Sequence, residues 1–196
     1  MAIDERGIYS TNSNVLGFAD LNRWSINGSP QYLTQTVMSG ATTQSFQGVF
    51  NLYPDTAYSN FKIIISNFRT SVAGLTLQMK LMTGASLSGS TYDQAYQQVS
   101  AAGATAYFGA TGGNAWSIMR LTETTNRSSA IVDVFNPYVS LIVTGISKIS
   151  GDYSAWSTSS GRHGNSNAFD GFQLNLSAAG TMSGVVTVYA LRNGSA

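Results

Sequence analysis

The C-terminal segment FDGFQLNLSAAGTMSGVVTVYALR, which runs from Phe169 to Arg192, carries the clearest fold signal in the chain. In its first half, Phe172, Leu174 and Leu176 alternate with two amide residues, a period of two that is typical of a half-buried β-strand. After a polar loop, the residues from 185 to 191 are apolar on both faces, which favours a strand that is covered on both sides or packed against another subunit. We expect this strand to pair with strands from much earlier in the chain, as in a sandwich or a barrel.

The chain from Gln31 onward has the same character, with short alternating segments separated by turns. The pattern predicts strands at about 31–38, 45–52, 60–68, 75–81, 92–99, 115–121, 130–135 and 138–149, with a short helix as the alternative at 92–99. It also predicts that 60–68 and 75–81 form a hairpin, that 152–167 is a long loop or a ragged hairpin, and that Gly109, Gly112 and Gly113 are flexible connectors. The sequence therefore predicts an all-β fold, an antiparallel β-sandwich, with the jelly roll as the expected topology and other Greek-key orders as alternatives.

The first thirty residues differ from the rest because no hydrophobic period is visible in them. They hold a large share of the few charges together with three aromatic residues, and Tyr9, Phe18, Arg23 and Trp24 are the candidate contact residues. Two interpretations stand side by side: an arm that docks on another protein, and an irregular lead-in that packs on its own domain. We therefore divide the chain into residues 1–30, an N-terminal arm, and residues 31–196, a single β-sandwich domain.

Composition narrows the possible partners. Charged residues make up 10% of the 196 residues and the formal net charge is +1. The sequence therefore predicts no positively charged surface that would bind nucleic acid. No segment approaches the length of apolar sequence that spans a bilayer, and residues 1–7 lack the layout of a signal peptide. Such a low charge is unusual for the surface of a free monomer, which leads us to expect that copies of the chain or neighbouring proteins cover part of it.

The search for catalytic or metal-binding groups gives few candidates. The chain has no cysteine and a single histidine, His163, which the pattern places in a flexible surface loop rather than beside a rigid nucleophile. The aspartates are isolated and show no calcium-loop spacing, although a calcium site assembled from distant loops stays open as an alternative. We predict a protein that is not an enzyme and needs no cofactor.

A binding surface is the remaining kind of site. Tyr153, Trp156, Arg162 and His163 lie among Ser, Gly and Asn, a composition typical of a recognition loop with rigid aromatic contacts. The alternative, which the usual burial of large aromatic residues favours, is that Trp156 caps the core beneath the loop.

The C-terminal segment also resembles a known family. Phe-Asp-Gly-Phe from Phe169, Gly-Thr-Met-Ser-Gly from Gly180 and Val-Tyr-Ala-Leu-Arg ending at Arg192 resemble the C-terminal signature of tailed-bacteriophage virion proteins. The resemblance implies a jelly-roll-like domain of a tail, fibre or fibre-tip protein, which is often trimeric. It carries over no catalytic residue.

Three functions are compatible with these observations. The favoured one is a structural protein of the virion that self-assembles as a homo-oligomer, contacts other virion proteins and contributes to host attachment through a surface glycan. The second is a capsid decoration protein that clips onto a shell, and the third is a carbohydrate-binding module. The favoured hypothesis places the protein in the virion, with no nucleic-acid partner and no insertion into a membrane.

Overall fold

The computed structural model describes residues 2–3, 9–10, 30–52, 58–100, 102–121, 124–138, 145–151 and 155–192. The strands of this part of the chain, in order, are β1 (Ala2–Ile3), β2 (Tyr9–Ser10), β3 (Gln31–Ala41), β4 (Thr43–Phe46), β5 (Tyr58–Thr70), β6 (Thr76–Thr83), β7 (Ser86–Leu87), β8 (Tyr92–Ser100), β9 (Thr105–Gly113), β10 (Trp116–Arg120), β11 (Ser128–Phe135), β12 (Gly145–Gly151), β13 (Ala155–His163), β14 (Gly171–Leu176) and β15 (Met182–Arg192). One 3-10 turn, Val49–Asn51, interrupts them.

Within the described residues, the strands form three antiparallel sheets. The large sheet has the order β3-β15-β5-β11-β12-β13-β8-β9, and the small sheet has the order β10-β6-β14-β4 with β7 beside β6. The third sheet is the pair β1-β2. The prediction of an all-β antiparallel sandwich is confirmed, while the jelly-roll topology stays a prediction.

One hydrophobic core lies between the large and the small sheet. Alternate residues of each strand point into it, so that Ile63 of the large sheet and Leu77 of the small sheet are fully buried. Phe50, from the 3-10 turn, joins the two layers because its ring lies 4.7 Å from that of Phe61 on β5 and 5.6 Å from that of Phe172 on β14. Such aromatic contacts add to the free energy gained from burying apolar area.

The C-terminal strand β15 pairs with β5 on one side and β3 on the other, which confirms the predicted pairing with strands from much earlier in the chain. Val186, Val188 and Ala190 face the core and are fully buried. On the opposite face, Val185 and Tyr189 are half-buried. The apolar residues on both faces therefore reflect a central strand whose outer face is only partly covered.

One predicted pairing is wrong. The strands at 60–68 and 75–81 exist as β5 and β6, yet they lie in different sheets, because β15 and β11 already occupy both edges of β5. The consecutive strands β14 and β15 also lie in different sheets, β14 in the small one and β15 in the large one. Each of these two connections therefore crosses from one sheet to the other.

Other observed strand boundaries differ from those predicted from the hydrophobic pattern. The predicted strand at 45–52 ends at Phe46, because Gly48 adopts a left-handed conformation with φ of 70° and starts the 3-10 turn. The weakly patterned strand at 92–99 is confirmed as β8. Gly109, Gly112 and Gly113 are not connectors, since they belong to β9. Of the predicted strand at 138–149, residues 139–144 lie outside the described residues, and β12 begins at Gly145.

A buried glutamine joins the two sheets near the edge of the large one. Gln94 on β8 is 7% exposed, and its Nε2 donates to the carbonyl oxygen of Ser117 on β10 at 2.8 Å and to Oγ of Ser159 on β13 at 3.1 Å. Its Oε1 accepts the N–H of Ser117 at 2.9 Å. The amide thus pairs with both backbone groups of one residue, as a neighbouring strand would, and fixes β10 under the β8 end of the large sheet.

Candidate functional site: the exposed edge of the large sheet

The region predicted to be a recognition loop is mostly a strand. Residues 155–163 form β13, which pairs with β8 over its whole length and with β12 from Trp156 to Arg162. Of the two alternatives predicted for 152–167, the long loop is therefore wrong there. This strand shows no hydrophobic period because it consists mainly of Ser, Thr and Gly. Its stability comes from backbone hydrogen bonds to two neighbouring strands rather than from an apolar face. Tyr153 lies outside the described residues.

Alternation along β13 separates the three other predicted contact residues. Trp156 and Arg162 point to the outer face of the large sheet, by which we mean the face directed away from the core, whereas His163 points to the core. Trp156 is 49% exposed, so the interpretation that it caps the core is wrong. The structure therefore brings Trp156 and Arg162 onto one face and places His163 on the other.

His163 is fully buried, and its prediction as a surface loop residue is wrong. Its ring contacts the rings of Tyr92 and Phe169, with centroids 4.6 and 4.8 Å away. Nδ1 accepts the N–H of Asn165 at 3.2 Å, so the neutral ring carries its proton on Nε2 and donates to Oγ of Ser88 at 2.8 Å. Burial lowers the pKa of His163, while hydrogen bonds at Asn165 and Ser90 oppose this shift.

The Ser88–His163 contact has the atoms of a nucleophile and a base but not their usual arrangement. In a catalytic triad a carboxylate holds the ring at Nδ1, and here the backbone N–H of Asn165 occupies that atom. The ring is also closed in by aromatic neighbours and by the core. These contacts are those of a buried structural histidine.

Arg162 forms an ion pair on the outer face. Its Nε donates to Oδ2 of Asp93 on β8 at 3.0 Å, and Oδ1 of the same carboxylate accepts the N–H of Gly112 on β9 at 2.9 Å. The Gly112 hydrogen bond, followed by Arg162, lowers the pKa of Asp93. The carboxylate thus ties three neighbouring strands together and leaves no net charge at this end of the face.

The edge strand β9 is exposed along nearly its whole length. Every residue from Thr105 to Gly112 is exposed, with Tyr107 at 76% and Phe108 at 45%. Its sequence, TAYFGATGG, contains no charge and no proline. Among the described residues, β8 is its only partner strand, so the backbone groups of its far edge face away from the sheet.

The hairpin of β8 and β9 is nevertheless well ordered by its own contacts. Seven residue pairs register the two strands, with one irregularity between Tyr92 and Gln94. The rings of Tyr96 and Phe108 stack at 4.8 Å with an interplanar angle of 20°. Strand β9 therefore presents a fixed, extended edge rather than a flexible connector.

Two open recesses lie side by side near this edge. One, of about 600 Å³, lies beside Asp93 and Arg162, and the other, of about 430 Å³, lies beside Gln97, Tyr107 and Thr158. Both are lined by Ala95 and Ser160, which makes them neighbours on one surface. Of these residues, sequence reasoning singled out Arg162 alone. Strand β8 was predicted, but nothing in the sequence showed that β9 would follow it as an edge.

Only residues 2–3, 9–10 and 30 of the predicted docking arm belong to the described part of the chain. Tyr9 lies in β2, which pairs with β1 at Ile3↔Tyr9. Phe18, Arg23 and Trp24 lie outside the described residues, and the division at residue 30 stays a prediction.

We also searched the described residues for a metal-binding cluster and for a membrane-spanning helix. The described residues contain no group of three or more His, Cys, Asp or Glu side chains arranged to hold a metal ion. None of the helical segments among them has the length and apolar character needed to cross a bilayer.

Comparison of the chain with protein-family models, with curated proteins and with solved structures gave no match in any of the three.

Proposed function

We propose that this chain is a non-enzymatic structural protein that assembles with copies of itself through the edge of its large sheet, as a tail or fibre component of a bacteriophage virion. The observation that carries the proposal is β9, a nine-residue edge strand that is uncharged and exposed along nearly its whole length. An edge of this kind is a template for pairing with another strand. The virion assignment comes from the resemblance at Phe169–Arg192.

Proteins that remain monomeric protect such edges. They place lysine or proline on the strand, shorten it, twist it away with a bulge or cover it. Strand β9 has neither lysine nor proline, and its one irregularity lies at the end near Gly112, which leaves 105–110 regular. We regard this lack of protection as support for a covered edge in the assembled protein.

A second copy of the chain is the occupant that fits this edge best. Two antiparallel copies of β9 would bring no like charges together, and the isologous contact closes as a dimer. The chain as a whole carries charge on only 10% of its residues, which also fits a surface that is partly covered by its own copies. A trimer, as the resemblance implies, would use β9 against a different surface of the neighbour.

The non-enzymatic part of the proposal is supported by the setting of His163. The single histidine is buried, and its Nδ1 is taken by a backbone N–H rather than a carboxylate. The contact between Ser88 and His163 is therefore explained by packing.

Light scattering of the purified protein over a range of concentrations tests the proposal. We expect an oligomer for the natural chain and a monomer for Ala106→Lys, which places a charge on the exposed edge strand. Ala73→Lys, in the exposed turn between β5 and β6, adds the same charge elsewhere and should leave the oligomer intact. A monomer at all concentrations up to about 100 μM would contradict self-assembly and favour a decoration protein that assembles only on its shell.

A further inference from the structure

We propose that the outer face of β13, β8 and β9 binds a neutral oligosaccharide. The site comprises the two adjoining recesses described above together with the exposed rings of Tyr107 and Trp156. Only the source of the ligand, a glycan on the host surface, rests on the proposed function. The binding chemistry itself follows from the side chains of the face.

The shape of the face suits an extended ligand. The recesses share Ala95 and Ser160, and the larger one also includes Gly109, so small residues leave space between the taller side chains around them. On β13, Trp156 and Arg162 are six positions apart on the same face, which corresponds to about 20 Å along the strand. The recesses, of about 600 and 430 Å³, are lined on β13 by residues 158–162 and begin close to Trp156 in sequence. They are open to solvent and large enough for several linked rings.

The aromatic residues provide flat apolar contacts. Tyr107 is 76% exposed and borders the smaller recess, and Trp156 is 49% exposed on the same face. Each sugar ring has a face of C–H groups that packs on an aromatic ring, and the rigid rings of Tyr and Trp give such contact at little cost in conformational entropy. Tyr107 therefore supplies a flat contact at the smaller recess, and Trp156 supplies a second one farther along the same face of β13.

The remaining side chains provide hydrogen bonds without charge. Gln97, Thr158 and Ser160 border the recesses, and their amide and hydroxyl groups both donate and accept. Sugar hydroxyls need partners of both kinds. A face made of rings and neutral polar groups matches the two kinds of surface that a sugar presents.

Charge decides between neutral and anionic ligands. In β13, β8 and β9 the ionised side chains are Arg162 and Asp93, which pair with each other at 3.0 Å. A polyanion such as nucleic acid or a sulfated glycan gains its affinity from unpaired Lys and Arg, which this face lacks in the described strands. A small apolar ligand needs an enclosed pocket, and these recesses are open.

The site is compatible with assembly through β9. Edge pairing uses the backbone N–H and C=O groups of the strand and leaves side chains on both faces free. In a dimer formed in this way, the outer faces of two copies would lie next to each other in one continuous sheet.

The test measures binding of cellohexaose, maltohexaose and chitohexaose by calorimetry, with a heparin hexasaccharide as the anionic probe. We expect saturable binding of at least one neutral probe and none of the anionic one. Tyr107→Ala should weaken the binding roughly tenfold. Gln97→Ala, which keeps the aromatic ring, should also weaken it. The matched control is Tyr32→Ala, which removes a tyrosine that is 56% exposed on β3 at the opposite edge of the same sheet and should leave affinity unchanged.

Two results would overturn the inference: no saturable binding of any neutral probe up to about 10 mM, or equal affinity of Tyr107→Ala and the natural protein for a bound probe. Preference for the heparin fragment would overturn its neutral character. The mass of each sample, measured by light scattering, separates this inference from the proposed function. An oligomer that binds no probe contradicts the saccharide site alone, and a monomer that binds a neutral probe contradicts self-assembly alone.

Discussion

Replacing Gln94 by leucine tests whether one amide holds the small sheet against the β8 end of the large sheet. The side chain donates to the carbonyl oxygen of Ser117 and accepts its N–H, at 2.8 and 2.9 Å. Leucine has a similar size but leaves both backbone groups without these partners. A buried polar group that loses its hydrogen bond costs about 1 to 3 kcal/mol, so the two groups predict a loss of about 2 to 6 kcal/mol in the free energy of unfolding.

The assay is urea unfolding followed by tryptophan fluorescence, because Trp116 on β10 is fully buried and reports on this region. Gln98→Leu is the control, since Gln98 lies on the same strand and is half-buried. We expect it to change stability by no more than about 0.5 kcal/mol, as surface substitutions usually do.

Gln94→Glu adds a test with a pH dependence. At neutral pH a carboxylate at this site is buried, and it can accept from Ser117 but cannot donate to it. Burial raises the pKa of such a group above about 4.3, the value in the unfolded chain. The stability deficit of Gln94→Glu relative to the natural protein should therefore be largest at pH 7 and shrink as the pH falls toward that value.

Unfolding of Gln94→Leu at the same urea concentration as the natural protein would show that this amide does not hold the sheets together. Equal losses for Gln94→Leu and Gln98→Leu would have the same consequence, because they would show a general effect of leucine on β8 rather than the loss of two specific bonds.

Two further predictions concern the core. Burial lowers the pKa of His163, so below about pH 6.5 the folded protein binds fewer protons than the unfolded chain. The free energy of unfolding should therefore fall by up to about 1.4 kcal/mol per pH unit below that pH. His163→Phe should remove this part of the slope in urea titrations at several pH values, and an unchanged slope would contradict it. Gly171→Ala would drive a methyl group into the carbonyl oxygen of Phe46 on the neighbouring strand, so we expect thermal melting to show a loss of about 3 kcal/mol in the free energy of unfolding. Gly89→Ala meets no atom within 4 Å and should be nearly neutral; equal melting of the two variants would show that β4 and β14 separate easily.

The fold class could be predicted because the clearest strands carry their own signal. Phe172, Leu174 and Leu176 alternate with polar residues, and all three are buried in β14. The valines of β15 likewise predicted a strand with distant partners. In β14 one face meets the core, so burial imposes the period that sequence analysis detects. In β15 the signal was the run of β-branched residues that are apolar on both faces, which is typical of a central strand.

The arrangement of strands could not be read in the same way. Alternation shows which face of a strand is buried but not which sheet the strand joins, so β5 and β6 were predicted to pair although they lie in different sheets. A short polar connection suits a hairpin and a crossing between layers equally well. Pairing is decided by the edges that remain free, which is a property of the whole chain.

The candidate site was found only in part for a related reason. Trp156 and Arg162 were recognised from composition, and their common face follows once β13 is known to be a strand. Tyr107 was missed because β9, on which it lies, has neither an apolar period nor β-branched residues beyond two threonines. This segment is a strand because β8 supplies its backbone partners, and a strand exposed on both faces has no burial pattern to reveal it. Gln97 lies on β8, which was predicted as a strand, but the sequence did not show that this residue would border a recess.

Amide hydrogen exchange of β9 is the sharpest test of whether this edge pairs with another copy of the chain. We expect the amides of alternate residues between Thr105 and Gly112 to become protected as the protein concentration rises, and Ala106→Lys to abolish this protection. Amides of β5, which is paired on both sides, should be protected at every concentration and serve as the internal reference. Fast exchange throughout β9 in samples that light scattering shows to be oligomeric would contradict pairing through this edge.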